Sequence, residues 1–149
     1  MIEVDIKNAR IKEFKSLSAK LKKISKGREP DFSKYEVNVE EIYKIAGKYK
    51  DVDNFIIVGQ GGAITSFIAL WEALGKFWTT KSVHVITSPD PSLINFIKRK
   101  CDIEHSLVVA ISKSGSNVNQ LEILLALGEY KKLIITQDKK AALFQIAKI

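Results

Sequence analysis

Hydrophobic positions along the chain follow two regimes, and the change comes near Asn54. Before it, Ile11, Phe14, Leu17, Leu21 and Ile24 recur at three- and four-residue steps, which sets them on one stripe of a helix over about residues 9–25. Gly27 ends that helix, and Pro30 opens an irregular connection. Asn38, with Glu41 three positions on, reads as the capping pair of a second helix reaching about Lys48. From Asn54 onward, short β-branched runs alternate with longer helical patterns. Strands are predicted over 55–58, 83–87, 107–111 and 133–136, and helices over 63–76, 92–100 and 117–130, with a last helix from Asp138 or Lys139 to Lys148. The chain thus divides into a helical extension, 1–53, and an α/β region, 54–149, in one compact domain.

Strands this apolar, each followed by a helix, are buried on both faces, so the expected fold is α/β, a three-layer α-β-α sandwich with a mostly parallel sheet, preceded by N-terminal helices. Right-handed crossovers then bring every strand's C-terminal end to one edge, where such folds bind ligands. Three loops should converge there: 59–62, 88–91 and 112–116.

Composition narrows the function classes. At 149 residues the chain can bury about two thirds of its unfolded surface without a metal or disulfide to hold it. Its one cysteine, Cys101, rules out an internal disulfide and fits a reducing compartment. Residues 1–25 are charged throughout and lack the apolar block of a signal peptide, and no stretch reaches the length of a membrane span, so a cytoplasmic protein with no membrane partner is expected. The net charge of +7 raises the question of nucleic acid. Within Lys7 to Arg28, however, nine Lys and Arg are mixed with apolar positions at helical spacing, as on a solvated helix face, and no aromatic-basic motif accompanies them. No nucleic-acid partner is expected; the charge instead favours anionic small molecules.

Ile111-Ser112-Lys113-Ser114-Gly115-Ser116-Asn117 carries hydroxyls, a lysine and a flexible glycine at a strand-to-helix turn. There, unpaired backbone N–H groups and the positive end of a helix dipole point at one spot, a place for an anion. Gly59-Gln60-Gly61-Gly62, just before another helix, can let the backbone approach a ligand, or can serve only tight strand–helix packing. Ser88-Pro89-Asp90-Pro91 reads as a turn whose Asp90 or Ser92 caps the next helix. A dinucleotide site fits poorly, because the third glycine of its fingerprint would fall on Ile64 and the second strand ends in Thr87 rather than an acidic residue.

Taken together, Val58-Gly59-Gln60-Gly61-Gly62 and Ala110-Ile111-Ser112-Lys113-Ser114-Gly115-Ser116 resemble the first sugar isomerase (SIS) domain of glucose-6-phosphate isomerases. The resemblance runs from about Asp53 to Ile149, and the lysine after the first serine is its most specific part. It implies a flavodoxin-like SIS fold with a five-stranded parallel sheet, a phosphosugar bound at the strand ends, no cofactor and no metal. The family's site maps onto Gly59, Gly61, Gly62, Ser112, Lys113, Ser114, Ser116 and Asn117. Serine hydroxyls, a lysine and free N–H groups suit the several anionic oxygens of a sugar phosphate. Because two-domain relatives pair their sheets about a pseudo-twofold, a homodimer or higher homo-oligomer is the implied assembly.

The departures are specific. Ala63 stands where the family has serine, and a lost hydrogen bond to a charged group costs about 1.5 to 3 kcal/mol, or about ten- to a hundredfold in affinity. Asn117, Asn119 and Gln120 replace threonine, glutamate and threonine, with Asn117 and Gln120 still able to form a capping box. Aldose-ketose isomerisation needs a positioned base. In the family that base is a glutamate in the second half of a longer chain, so no catalytic residue is assigned here. His84 falls inside a strand, His105 at the wrong strand end, and Glu72 and Glu122 on helices. Three readings stay open: a phosphosugar isomerase or a part of one, a non-catalytic phosphosugar sensor, and a nucleotide-binding enzyme domain.

Overall fold

A computed structural model describes residues 36–138 and 140–146, so the helix expected over residues 9–25 lies outside the described residues. By contacts the chain divides into two units, Met1–Ile42 and Tyr43–Ile149. Helix α1, Val39–Gly47, crosses that division. Its start follows the predicted cap, with the Glu41 N–H donating to Asn38 Oδ1 at 3.1 Å.

The second unit is built on four strands, β1 Asn54–Gly59, β2 Ser82–Ile86, β3 Ser106–Ile111 and β4 Lys131–Ile135. All pairings are parallel, in the order β2-β1-β3-β4. The five-stranded sheet implied by the resemblance is a four-stranded one among the described residues. Its connections are α2 Gly62–Leu70, continued by a π-helical turn Trp71–Gly75 and a short α3 Lys76–Trp78, then α4 Pro91–Lys100, α5 Val118–Ala126 and, after β4, α6 Ala142–Ile146.

The period-two alternation of the strands sends each side chain to one of two cores. Ile56, Val58, Val108 and Ala110 pack with Ile94 and Ile97 of α4, Ile123 and Leu124 of α5 and Leu143 of α6. On the opposite face Ile57, Leu107 and Val109 pack with Ile64, Phe67 and Ile68 of α2. Burying each such aliphatic side chain contributes about 1.5–3 kcal/mol. The chain is therefore α/β, with an all-parallel sheet between helical layers. Among the described residues no helix is long and apolar enough to cross a membrane.

Three predicted helices differ from those observed, the one expected over 117–130 ending at Ala126, after which the chain turns through Gly128 at φ +36°. The helix expected as continuous over 63–76 opens into the π-helical turn at Trp71. The Trp71 indole stacks on Phe67 with ring centroids 6.5 Å apart and lies against Gly75, where a Cβ would sit 2.1 Å from the ring, so the wider turn makes room for it. The last helix begins at Ala142 rather than at Asp138 or Lys139. Asp138 instead forms a turn, its N–H donating to Thr136 Oγ1 and its Oδ1 accepting from the Lys140 N–H.

This order is what positions the site. From β1 the chain moves outward to β2 and then returns to the other side of β1 with β3. The loops after β1 and β3 leave the sheet side by side and diverge, which opens a crevice between them at the C-terminal edge.

Candidate functional site

Loop 112–117 owes its shape to a small set of bonds. The Ser112 N–H donates to the Ile135 carbonyl, extending the β3–β4 ladder by one rung, and buries the residue. Ser112 Oγ then accepts from the Gly115 N–H at 3.1 Å, closing a tight turn. Gly115 has φ +62°, and a Cβ there would lie 2.5 Å from Ala141 Cβ and 3.0 Å from Thr136 Oγ1, so glycine is required twice over. The Gly115 carbonyl accepts from the Leu143 N–H, and the Lys113 carbonyl from Thr136 Oγ1 and the Gln137 N–H, fastening the loop to the chain after β4. Among the described residues the backbone N–H groups of Lys113 and Ser114 have no partner.

At the start of α5, Asn117 Oδ1 accepts from the Gln120 N–H at 3.3 Å. Only this half of the expected capping box forms. The Gln120 side chain turns inward instead, Nε2 donating to the Ile111 carbonyl at 3.1 Å, because Gln120 faces the sheet and is only 2% exposed. Asn117 Nδ2 reaches across the crevice to Gln60 Oε1 at 2.8 Å, and Gln60 Nε2 donates to the Thr87 carbonyl at 2.8 Å. The loops after β1, β2 and β3 thus meet through one side chain, Gln60.

Between them lies a cleft of about 670 Å³ whose walls include Gln60, Ala63, Ser112, Lys113, Ser114 and Asn117. Of the residues predicted for the site, Ser112, Lys113, Ser114 and Asn117 line it. Ser116 stands outside the lining, exposed, with Oγ donating to Ser114 Oγ at 3.1 Å. Gly59, Gly61 and Gly62 also lie outside it. A Cβ on Gly59 would come within 3.0 Å of Ile64 Cβ, so that glycine serves strand–helix packing, while Gly61 takes φ +59° to begin α2. Lining residues absent from the sequence-based set are Gln60, Ala63, Ile111, Gln120, Gln137 and Asp138. Gln120 carried a signal, since a polar residue at an inward-facing helical position needs a partner. The loop after β4 carried none before the strand order was known.

Electrostatically the cleft combines the exposed ammonium of Lys113 with the positive end of α5, while Asp138 is the carboxylate of the lining. The two histidines lie away from it. His84, on β2, is half-buried with Nε2 unpartnered among the described residues, and burial, then the Lys100 charge, lowers its pKa. At the opposite sheet edge His105 Nδ1 lies 2.6 Å from Asp102 Oδ2, and this hydrogen bond raises the histidine's pKa and lowers the aspartate's. Glu122 is exposed on α5, and Glu72 lies in the π-helical turn.

No family model matches the chain. Curated relatives do. Over 87 residues, 58% of this chain and 20% of the relative, it is 32% identical to the glucose-6-phosphate isomerase of Methanocaldococcus jannaschii. Over 125 residues, 78% of this chain and 28% of the relative, it is 29% identical to a probable glucose-6-phosphate isomerase of Methanococcus maripaludis. The chain thus spans between a fifth and a third of the length of these relatives.

Solved structures share the fold at low identity. A glucose-6-phosphate isomerase from Chlamydia trachomatis superposes with TM-score 0.57 at 16% identity, covering 78% of this chain and 26% of that one. The sugar isomerase domain of an RpiR transcription factor from Sphaerobacter thermophilus gives 0.55 at 15%, covering 72% and 59%. The Vibrio vulnificus NanR protein, complexed with ManNAc-6P, gives 0.56 at 15%, covering 74% and 40%. The chain therefore shares its α/β fold with sugar isomerase (SIS) domains and is similar in sequence to part of the length of glucose-6-phosphate isomerases.

Proposed function

We propose that this protein binds a sugar phosphate in the cleft between the loops after β1 and β3, with the phosphate at loop 112–116. The observation that carries the reading is the turn itself: Ser112, Lys113 and Ser114 line the cleft, and the Lys113 and Ser114 N–H groups have no partner among the described residues. Such an array supplies hydroxyl donors, backbone donors and one mobile positive charge to a dianion. The relatives named glucose-6-phosphate isomerase and the neighbour complexed with ManNAc-6P support a phosphorylated sugar over other anions.

The finer reading is aldose-ketose isomerisation between glucose 6-phosphate and fructose 6-phosphate, with the proton-transferring base supplied from outside the cleft lining, by a further segment or a second subunit. An oligomer in which a partner completes the site follows from it. A second reading, a phosphosugar sensor without turnover, is supported by Ala63 in the lining and by the RpiR transcription factor whose sugar isomerase domain shares the fold.

Lys113→Ala should weaken glucose 6-phosphate binding by about ten- to a hundredfold in calorimetry, as expected for one charge-assisted contact. Equal affinity of the unmodified protein for glucose and glucose 6-phosphate would remove the phosphate site. A coupled assay for glucose 6-phosphate and fructose 6-phosphate interconversion separates the two readings, since turnover by the purified protein excludes the sensor.

A further inference from the structure

The run from α2 through the π-helical turn to α3 is apolar on both sides. Between Gly62 and Trp78 the only charged residues are Glu72 and Lys76. One side packs on the sheet through Ile64, Phe67 and Ile68. On the other, Leu70 and Leu74 are more than half exposed, and Phe77 and Trp78 are 81% and 83% exposed. Leu70, Leu74 and Phe77 follow four- and three-residue steps, the spacing of a helical stripe, and Trp78 adjoins them. The sheet beneath lacks cover as well. Helices α4, α5 and α6 pack on its opposite face. On this face α2 alone among the described helices joins the core, and Phe55, Val83, Val85 and Leu133 stay half-buried.

Size decides what such a face can hold. Two open aromatic rings and two leucines present about 400–600 Å² of apolar surface, the upper range for the largest patch on a monomer. A partner in a standard interface contributes about 800 Å², so these four side chains supply half or more of one. Their composition also fits, since interface cores are rich in tryptophan and phenylalanine and poor in charge. A lipid surface fits less well, because helices that lie on membranes carry Lys and Arg along the polar side, and this run has Lys76 alone. A second copy brings the same apolar face. Paired about a twofold axis, the two patches bury about 800–1,200 Å² before any flanking residue is counted, which reaches the range of specific dimers. Ala69 and Ala73, small and exposed, let the two helices approach closely.

We infer that the chain forms a homodimer through this face, with Leu70, Leu74, Phe77 and Trp78 of one copy packed on the same residues of the other. Ala63, in the first turn of α2, walls the cleft, and Leu70 lies about 10 Å farther along the helix. The copies therefore meet along the helix that borders the ligand site. The dimer itself does not depend on what the cleft binds.

Analytical ultracentrifugation of the purified chain, from about 0.1 to 100 µM, should show a monomer–dimer equilibrium with a Kd of about 1 to 50 µM. Over the same range, tryptophan emission of the unmodified protein should move to the blue and acrylamide quenching should fall, as Trp78 leaves water. Phe77→Glu and Trp78→Glu should each raise Kd about thirtyfold or more, with far-UV circular dichroism unchanged. Leu125→Glu, at an exposed leucine on α5, should leave Kd as it was. A chain that stays monomeric at the highest concentration overturns the interface. In that case, tryptophans shielded at every concentration would show the face covered within one chain, and binding to phosphatidylcholine vesicles would show a lipid surface instead. A dimer that survives both glutamate substitutions, or is lost equally with Leu125→Glu, also overturns it.

Discussion

His84 and His105 have the same chemistry and opposite surroundings, so they should titrate on opposite sides of the ordinary imidazole value. Burial, with the Lys100 charge, favours neutral His84, whereas Asp102 favours charged His105. Proton NMR should show His105 titrating above, and His84 below, an unstructured histidine, and Asp102→Asn should return His105 towards the ordinary value. The signs for stability also differ. The raised His105 contributes below its unfolded pKa and loses that contribution as pH rises through its folded value. The lowered His84 loses stability as pH falls through its folded value, when the buried ring must charge. Asp102, also lowered, loses its contribution as pH falls through its own folded value. Gly115 makes the other residue-scale prediction. With φ +62° and no room for a methyl group, Gly115→Ala should cost about 2 to 4 kcal/mol in denaturant melts and weaken phosphate binding, because the turn must open.

At the scale of elements, α5 and the strand before it are joined by caps and cross-links that can be cut singly. Tyr130 donates from its hydroxyl to the buried Cys101 carbonyl at 2.7 Å, tying the turn before β4 to the end of α4. Tyr130→Phe leaves that carbonyl unpaired and should cost about 1 to 2 kcal/mol in equilibrium unfolding, with the cleft unaffected. Asn117→Ala removes a helix cap and the bond to Gln60 together, and should cost about 1 to 2 kcal/mol, of which Asn117→Ser restores most. The elements themselves were legible in sequence because their signals are local: continuous apolar, β-branched runs in 55–58 and 107–111, and asparagine caps at Asn38 and Asn117. The Trp71 turn was not, since a helical period is unchanged by one wide turn and only the packing of indole against Gly75 reveals it. Likewise the sequence pattern pointed to loop 112–117. It could not assign Gln60, whose partners Thr87 and Asn117 lie far along the chain and come together only through the strand order.

Across the whole molecule, the net charge of +7 acts on an anionic ligand before contact is made. The association rate of glucose 6-phosphate, followed by stopped flow, should fall as salt rises from low to physiological ionic strength, while the dissociation rate changes less. Loss of Lys113 should flatten only part of that dependence, because the remaining charge is spread over the chain.

Strand order also governs how the chain comes to be folded. β1, the first strand made among the described residues, is one of the sheet's two inner strands: Asn54 pairs with Ser82 on one side and with Ser106 on the other. Both of its pairings are parallel and reach across intervening helices, so no hairpin can form early and hold it. During synthesis the apolar run Phe55–Val58 must leave the ribosome unpaired and wait for β2 and β3. Refolding should accordingly be slow for the chain's size, in the millisecond-to-second range of non-local topologies, and the waiting strand is the segment a chaperone would hold.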